Sequence, residues 1–534
     1  MPRTVTLVVS VALVFAASCR GLTQVSLTVA APVQRSPGVS FDRLVNADQE
    51  PANWLTYSGT LSGWRHSRLT QITPANVKNL ELAWTWASYA APGRILPEAT
   101  ALALDGVLYT VRPPNDVVAL DAATGRELWK FPHAPAPNSV AYRTSRGLAM
   151  LGRTLFMATI DARLLAINAD TGTLVWNGAV ANPADPSCQG KQCYSITHAP
   201  LVVKDKVIVG TSGGDGGVRG FIAAFDAASG TEVWRFHTIP APGEPGHETW
   251  ADDSWRTGGA AVWNTGSYDP DLNLTYWGTG NPGLGTQPGT DLLYSNSVVA
   301  LDADTGRLRW HYQFTPRDTM DWDATQVPVL ADIDWRGQPR KVMLFANRNG
   351  VFYLLDRATG AFLSGTPFVH VNWLAGFDGK GRPLRTTPAP DVPVKPGRGE
   401  MAATSWYPPS YSPRTGLLYV PSWETSVEPR YGTLVAIDPR TGEKKWEFRR
   451  EGTFTPFSSG ALTTASGLVF TGVRIGGPLT ESMFYALDAA TGQLLWQVSL
   501  PGASHSGAMS YAVGGKQFVT VTAGTTLLAF ALRP

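Results

Sequence analysis

The stretch RDTMDWDATQ, residues 317–326, concentrates acid in a chain that has few charges. Asp318, Asp321 and Asp323 cluster around a tryptophan, directly after a segment that is typical of a β-strand. Like charges held close together without a counter-ion raise one another's pKa values and destabilise the site. Two interpretations stay open on these residues alone: a bound cation, or an ordinary solvated loop.

The composition predicts many short strands joined by tight turns. The 534 residues include 54 glycines, 40 prolines and 19 tryptophans, and only 16% of them are charged. Length alone suggests more than one domain, but an internal repeat would allow a single domain of this length. With a net charge of +2 and no basic block, no nucleic-acid partner is expected.

The first residues are typical of an export signal. Arg3 precedes the apolar run VTLVVSVALVFAAS, which is short of the roughly 18 to 20 residues of a membrane span. We therefore expect a signal peptide within residues 1–30 and a periplasmic or secreted mature protein without a transmembrane span. Cys19 leaves a second reading open, in which it is the acylated cysteine of a lipoprotein.

The other two cysteines lie close together in CQGKQC. In an oxidising compartment a bond between Cys188 and Cys193 is expected, with two unpaired buried thiols as the alternative. The sequence has no CxxCH, which excludes a covalently attached c-type haem.

An internal repeat gives the strongest signal in the chain. Its pattern is Ala, any residue, Asp or Asn, two residues, Thr or Ser, Gly, three residues, Trp. The copies are ALDAATGRELW (119–129), AINADTGTLVW (166–176), AFDAASGTEVW (224–234), ALDADTGRLRW (300–310), AIDPRTGEKKW (436–446) and ALDAATGQLLW (486–496). A seventh copy, LLDRATGAFLS, has lost the tryptophan.

Each copy predicts a β-hairpin. The Asp ends one strand and caps the turn, the Gly supplies a positive φ, and the next strand runs to the tryptophan. The spacing of the copies leaves room for about four strands each, which favours propeller blades over a solenoid of the same hairpins. An eighth blade would pair LELAWTW, near the start, with the late strands QFVTVTAG and TLLAFAL. We therefore predict an all-β fold, an eight-bladed β-propeller over residues 40–534.

These repeats resemble the tryptophan-docking motif of the pyrroloquinoline quinone (PQQ)-dependent alcohol dehydrogenases, eight-bladed quinoproteins of the bacterial periplasm. The resemblance covers roughly residues 45–534 and includes the opening NWLTYSGTLSGWRHSRLTQITPANVKNLELAW. The repeat alone does not establish an enzyme, since an outer-membrane assembly lipoprotein with the same fold carries similar repeats without a cofactor. A cofactor-free scaffold for protein binding at the cell envelope is therefore the alternative function.

The resemblance assigns a metal site. Asn281 in GTGNPG matches the family's metal-binding asparagine, and Asp215 in SGGDGGVRGF stands one methylene shorter at its metal-ligating glutamate. Asp321 matches the catalytic aspartate. Asp323 falls where lanthanide-dependent members carry an extra aspartate, and an extended segment would turn both carboxylates to one side. Hard cations prefer such oxygen-rich sites, so one Ca²⁺ or lanthanide ion is expected.

The resemblance also assigns the quinone contacts. Trp263 matches the tryptophan that stacks under the quinone plane, and Arg348 in NRNGVFYLLD matches the arginine beside its C5 oxygen. The residues that match those holding the carboxylates and polar edge of PQQ are Glu98, Arg146, Thr197 and Ser212. Arginine suits that task because its planar fork binds carboxylates at two points.

Several positions depart from the family. Its adjacent cysteine pair is replaced by Val140 and Ala141. Ser405, Ser458 and Ala261 stand where an asparagine, a tryptophan and a threonine are usual. The sequence is thus similar to a divergent member whose metal and catalytic set is largely kept.

The activity implied by the resemblance is oxidation of a small alcohol. Asp321 takes the alcohol proton while hydride passes to the quinone C5, with the metal ion and Arg348 polarising the C5 carbonyl. A soluble cytochrome c is the implied electron acceptor.

Overall fold

The protein folds into eight β-sheet blades, each built on four antiparallel strands, as a β-propeller. The computed structural model describes residues 38–88, 97–136, 144–186, 188, 193–283, 288–386, 403–424, 431–451, 459–474 and 482–533. The prediction of an all-β propeller with eight blades is confirmed. The signal peptide and Cys19 lie outside the described residues, so those expectations stay predictions.

The first four blades follow one another along the chain, each formed by four consecutive strands. They are preceded by helix α1 (Phe41–Val45) and by strands β1 (His66–Ser67) and β2 (Leu80–Ala87). Their strands are β3 (Leu102–Leu104), β4 (Val107–Arg112), β5 (Asp116–Asp121), β6 (Glu127–Phe131), β7 (Ala149–Leu151), β8 (Thr154–Ala158), β9 (Arg163–Asn168), β10 (Leu174–Ala179), β11 (Leu201–Val203), β12 (Lys206–Gly210), β13 (Phe221–Asp226), β14 (Glu232–His237), β15 (Ser267–Asp269), β16 (Leu274–Gly278), β17 (Ser297–Asp302) and β18 (Leu308–Gln313).

The remaining blades follow the same order, with a small two-stranded sheet, β23–β24, after the fifth. Their strands are β19 (Val329–Trp335), β20 (Gln338–Ala346), β21 (Val351–Asp356), β22 (Phe362–Pro367), β23 (Leu374–Phe377), β24 (Pro383–Arg385), β25 (Ser410–Ser412), β26 (Leu417–Glu424), β27 (Tyr431–Ile437), β28 (Lys444–Glu451), β29 (Ala461–Thr464), β30 (Leu468–Arg474), β31 (Ser482–Asp488), β32 (Leu494–Leu500), β33 (Met509–Val513), β34 (Lys516–Ala523) and β35 (Thr526–Leu532). Short 3₁₀ turns lie at Ala47–Gln49, Val77–Asn79, Gly214–Gly216, His247–Thr249 and Asp252–Arg256.

The eighth blade combines early and late parts of the chain. Its strand order is β2-β35-β34-β33, and β2 pairs antiparallel with β35 from Leu80 opposite Leu532 to Ala87 opposite Thr526. The predicted pairing of LELAWTW with TLLAFAL is therefore confirmed. Next to this seam, β1 adds to the seventh blade as a parallel strand on β29.

Tryptophans, most of them from the repeat motif, join a blade to the next one at six places among the described residues. The Nε1 of Trp234, on β14, donates to the Ala303 carbonyl of the following blade at 3.1 Å. The repeat glycine there, Gly306, has a φ of +68°, and a Cβ on it would lie 2.5 Å from the Trp234 ring. The same indole-to-carbonyl bond is made by Trp84, Trp129, Trp176, Trp310 and Trp446. Glycine is thus required both for the turn and for the ring that covers it.

The copy without a tryptophan still forms a blade. Ser364 occupies the tryptophan position on β22, and Gly442 of the next blade is covered by Thr366 instead of an indole. This blade forms without the tryptophan contact because the pairing of its strands and the packing of its core stabilise the sheet.

Two further features are a disulfide bond and the lengths of the helices. Cys188 and Cys193 form a disulfide, with Cα atoms 5.4 Å apart, which confirms the predicted pairing. Among the described residues, no helix is both long and apolar enough to cross a bilayer.

Candidate active site

All the candidate site residues lie in loops at one edge of the blades. Each precedes the first strand of its blade or follows the second, and because these two strands are antiparallel, both positions fall at the same edge. Glu98, Arg146, Thr197, Trp263, Asp321 and Asp323 precede first strands, whereas Ser212, Asp215, Asn281 and Arg348 follow second strands. Residues far apart in sequence are thus brought to one face of the ring.

One group of these residues is organised by the Arg146 guanidinium, and we call it the arginine cluster: Glu98, Arg146, Thr197, Ser212 and Trp263. Arg146 Nη2 lies 2.9 Å from Glu98 Oε2, and Nη1 donates to Thr197 Oγ1 at 2.8 Å. Nη1 also donates to the Trp263 carbonyl at 3.1 Å, and the hydroxyls of Thr197 and Ser212 are 2.9 Å apart. Burial raises the pKa of Glu98, and the Arg146 charge opposes this rise.

Two aromatic residues that the sequence reasoning did not single out complete this cluster. The Arg146 guanidinium lies over the Trp263 ring at 5.0 Å and over the Trp406 ring at 4.8 Å. Tyr407 packs against Trp406, with ring centroids 4.4 Å apart, and its environment includes the charges of Glu98, Arg146 and Arg348. The only sequence signal for them was their position directly after Ser405.

The second group, which we call the acidic cluster, comprises Asp215, Asn281, Asp321, Asp323 and Arg348. Arg348 Nη1 lies 2.8 Å from Asp323 Oδ2, and its Nη2 lies 3.5 Å from Asp321 Oδ2. The Asn281 backbone N–H donates to Asp323 Oδ1 at 3.0 Å. The structure therefore brings the two acids and the asparagine together, as the sequence predicts.

The way in which Asp321 and Asp323 meet differs from the prediction. An extended segment was expected, but Asp321 has a φ of +60° and the loop before β19 is not a strand. Residues other than glycine rarely adopt this left-handed conformation because it is strained. Such strained residues are often found at functional sites. Both carboxylates reach Arg348 through a turn instead of a shared strand face.

The third acid of the stretch, Asp318, has a separate role. It is buried, and its oxygens accept the backbone N–H groups of Met320 at 2.8 Å and Trp322 at 2.7 Å. Asp318 therefore holds the turn and does not face Arg348.

The acidic cluster concentrates negative charge in a partly buried space. Burial and the Asp323 charge raise the pKa of Asp321 to about 7, against the opposing charge of Arg348. The same two causes raise the pKa of Asp215 to about 6, and an Asn281 hydrogen bond opposes the rise. One guanidinium therefore does not compensate for the carboxylates around it.

Close packing links the acidic cluster to the loop that carries Trp263. A Cβ on Gly280 would lie 2.6 Å from Asp323 Oδ1, and the Gly280 N–H donates to the Ala261 carbonyl at 2.8 Å. Only glycine allows this approach. Ala261, one of the positions that differ from the family, therefore contacts the Gly280 segment through its backbone carbonyl.

Of the four other positions that differ from the family, the structure describes only one. Ser405 directly precedes Trp406 and is partly buried. Val140, Ala141 and Ser458 lie outside the described residues, so their consequences stay open.

In the described ranges, no group of three or more His, Cys, Asp or Glu side chains is arranged to hold a metal ion. The oxygen donors of the acidic cluster instead contact Arg348 and a backbone amide.

Comparisons with known proteins identify the family of the chain. The sequence profile described as "Glucose/ethanol/alcohol dehydrogenase, beta-propeller domain" of the PQQ family matches residues 54–406 and 421–519. The chain is 36% identical to quinohemoprotein alcohol dehydrogenase ADH IIB of Pseudomonas putida, over 91% of this chain and 75% of that protein. It is 32% identical to a 1-butanol dehydrogenase (cytochrome c) of Thauera butanivorans, over 88% and 74% of the two chains.

A solved structure extends the similarity to the fold. The structure of a europium-containing methanol dehydrogenase superposes with a TM-score of 0.82 at 30% identity, over 92% of this chain and all of the other.

Proposed function

Since the chain belongs to the family of PQQ-dependent alcohol dehydrogenases, we propose that it oxidises small alcohols in the periplasm with PQQ and one Ca²⁺ or lanthanide ion. The observation that carries this proposal is the convergence of the arginine cluster and the acidic cluster on one face of the ring. A cofactor-free scaffold would have no need to bury either set of charges there.

The arginine cluster fits an anionic, planar ligand. Arg146 is 5% exposed, yet its Nε has no hydrogen-bond partner, and the same is true of the Nε of Arg348, which is 7% exposed. Buried donors without partners are costly, so a ligand that accepts from them would stabilise the site. Trp263 and Trp406 offer flat apolar surface beside Arg146, which suits a fused-ring quinone bearing carboxylates.

The acidic cluster fits a hard cation. Its donors are the carboxylates of Asp215, Asp321 and Asp323 and the amide oxygen of Asn281, all oxygen ligands of the type that Ca²⁺ and lanthanides prefer. A cation would supply the positive charge that Arg348 alone does not. The europium named for the related methanol dehydrogenase supports a lanthanide as one candidate.

The chemistry assigned to this chain's own residues is proton removal and charge stabilisation. When bound, the quinone accepts the hydride of the alcohol carbon and the ion acts as a Lewis acid. Asp321, whose side chain is 24% exposed, takes the hydroxyl proton of the alcohol as general base. Arg348 stabilises negative charge that develops beside it, and Trp263 with Trp406 excludes water from one side.

The electron acceptor is proposed to be a soluble cytochrome c. The similar 1-butanol dehydrogenase is named for cytochrome c, which supports such an acceptor. Export through the N-terminal signal would place the enzyme beside such a carrier.

The proposal is tested by reconstitution. The purified protein is mixed with PQQ and either Ca²⁺ or La³⁺, and its absorbance spectrum, metal content and dye reduction with a primary alcohol are measured. We expect stoichiometric quinone and ion, with alcohol-dependent dye reduction. Absence of quinone binding by the wild-type protein would refute the enzyme assignment and favour the scaffold.

A further inference from the structure

The hydrogen bonds of Asp318 bracket the proposed base. Its Oδ1 accepts the Met320 N–H and its Oδ2 accepts the Trp322 N–H, and these amides flank Asp321 on either side. Asp318 is only 2% exposed, so water does not compete for either bond.

This arrangement matters because Asp321 is held in an unfavourable backbone conformation. A φ of +60° brings the Cβ of a residue other than glycine too close to its own backbone and is therefore unfavourable. Such a conformation persists only where neighbouring contacts fix it. The two bonds to Asp318 hold the amide of Met320, one residue before Asp321, and the amide of Trp322, one residue after it.

A second residue ties this turn to the loop of Asn281. The Asn296 Nδ2 donates to Asp318 Oδ2 at 3.1 Å and to the Trp322 carbonyl at 2.8 Å. The Asn296 backbone N–H donates to the carbonyl of Gly280, which immediately precedes Asn281, at 2.9 Å. Asn296 is fully buried and so has no competing contact with water.

We propose that Asp318 and Asn296 form a clamp that sets the position of Asp321 relative to Asn281, and that both act as positioning residues for the ion and the alcohol. The inference rests on the proposed function. It assigns no ligand role to either residue, since they act through the turn and through the Gly280–Asn281 backbone.

The chemistry of the clamp requires a carboxylate at position 318. Two acceptor oxygens serve two backbone N–H groups, and one of these oxygens also receives the Asn296 amide. An asparagine at 318 would keep one acceptor and turn an NH₂ group toward the other N–H donor. The turn would then lose one of the two bonds that hold Asp321.

The test uses two variants and a matched control. Asp318→Asn removes one acceptor, whereas Asn296→Gly leaves the Asp318 charge intact and accommodates the φ of +47° at position 296. The control is Asp302→Asn, because Asp302 also accepts two backbone N–H groups, those of Asp304 and Thr305, in an exposed hairpin turn. Circular dichroism melts establish that each protein is folded.

Tb³⁺ affinity is read from sensitised luminescence of the quinone-loaded protein, and kcat and KM are measured with a primary alcohol. We expect Asp318→Asn and Asn296→Gly to weaken Tb³⁺ binding at least about tenfold, a typical cost of losing support around a metal ligand. We also expect kcat to fall at least about tenfold while the alcohol KM changes by less than about threefold. Asp302→Asn should match the wild type in every measurement.

The outcomes separate the two proposals. If the wild type takes up neither ion nor quinone, the proposed function fails and the clamp's role in it fails too. If the wild type binds both, and Asn296→Gly and Asp318→Asn bind Tb³⁺ and turn over as the wild type does, the clamp alone is refuted. A loss confined to Asp318→Asn would also refute the clamp, because the clamp requires Asn296 as well as Asp318.

Discussion

The Nη1 of Arg348 lies 2.8 Å from Oδ2 of Asp323, which precedes it by 25 residues and belongs to the loop before the same blade. This contact satisfies one oxygen of the extra acid, while the other oxygen accepts the Asn281 N–H. Asp323 therefore has a structural partner on each oxygen even without an ion. A trivalent ion would need to share these oxygens, and the site's response to losing Asp323 should depend on the charge of the ion.

The first prediction concerns this dependence. Asp323→Ala should abolish lanthanide-supported dye reduction and spare some Ca²⁺-supported turnover, because a trivalent ion needs the added carboxylate more. Asp321→Ala should lower activity at least about a hundredfold with either ion, because it removes the proposed base. Equal activity of the two variants with either ion would contradict both assignments.

A second prediction concerns the pH dependence of stability in the metal-free protein. A carboxyl whose pKa is higher in the folded state binds more protons when folded, so the free energy of unfolding falls as pH rises through that window. Asp321, with a pKa of about 7, should lower it by on the order of 1 kcal/mol between pH 6.5 and 8. Urea unfolding of the wild type and of Asp321→Asn at these two pH values isolates this contribution.

Buried histidines act in the opposite direction, and part of their effect falls inside the same window. Burial lowers the pKa of His66, His198 and His237 to about 4, so the stability that they add as pH rises is complete only above the unfolded pKa of about 6.5. These histidines are common to both proteins, so between pH 6.5 and 8 the free energy of unfolding of Asp321→Asn should rise relative to that of the wild type. An identical pH dependence in the two proteins would show that Asp321 titrates normally.

A third prediction assigns the quinone contact of Trp406. Trp406→Ala should weaken PQQ binding about tenfold, the usual cost of losing one aromatic contact, and Trp406→Phe should restore most of it. Quenching of tryptophan fluorescence during a PQQ titration gives the dissociation constants. If both variants bind like the wild type, Trp406 contacts only Arg146 and not the cofactor.

The fourth prediction tests the tryptophan link between blades. Gly306→Ala imposes a positive φ on alanine and places its Cβ against the Trp234 ring. Gly337→Ala is the matched control, because Gly337 has a φ of +79° but no atom within 4 Å of the added Cβ. We expect about 1 kcal/mol of destabilisation in the control and about 2 to 4 kcal/mol for Gly306→Ala. If urea unfolding gives the same decrease in the free energy of unfolding for both variants, the Trp234 ring moves aside without destabilising the protein.

The repeat made the blades predictable, because each motif encodes a complete hairpin in local sequence. Even the altered copy at Ser364 was recognisable from its Asp and Gly. The resemblance also predicted that Asp321, Asp323 and Asn281 meet, since it aligned distant loops.

Features that depend on tertiary contacts were not predictable in the same way. The left-handed turn at Asp321 is imposed by buried hydrogen bonds to Asp318, which sequence periodicity does not reveal. Asn296 carries no motif, and its role follows only from where it lies between two loops. Trp406 was one of 19 tryptophans, most of which could equally fill the core.

The eighth blade also constrains the order of assembly. Gln71 and Gln517, which hydrogen-bond across the seam beside β2, are separated by 446 residues. Strand β2 is therefore synthesised long before its partner β35 exists, and the ring closes only when nearly every blade has been made. Contacts over such a distance slow folding and leave intermediates with an unpaired edge. Because the site draws on loops from several blades, we expect it to be complete only when the ring has closed, so that a partly synthesised chain would lack the assembled site.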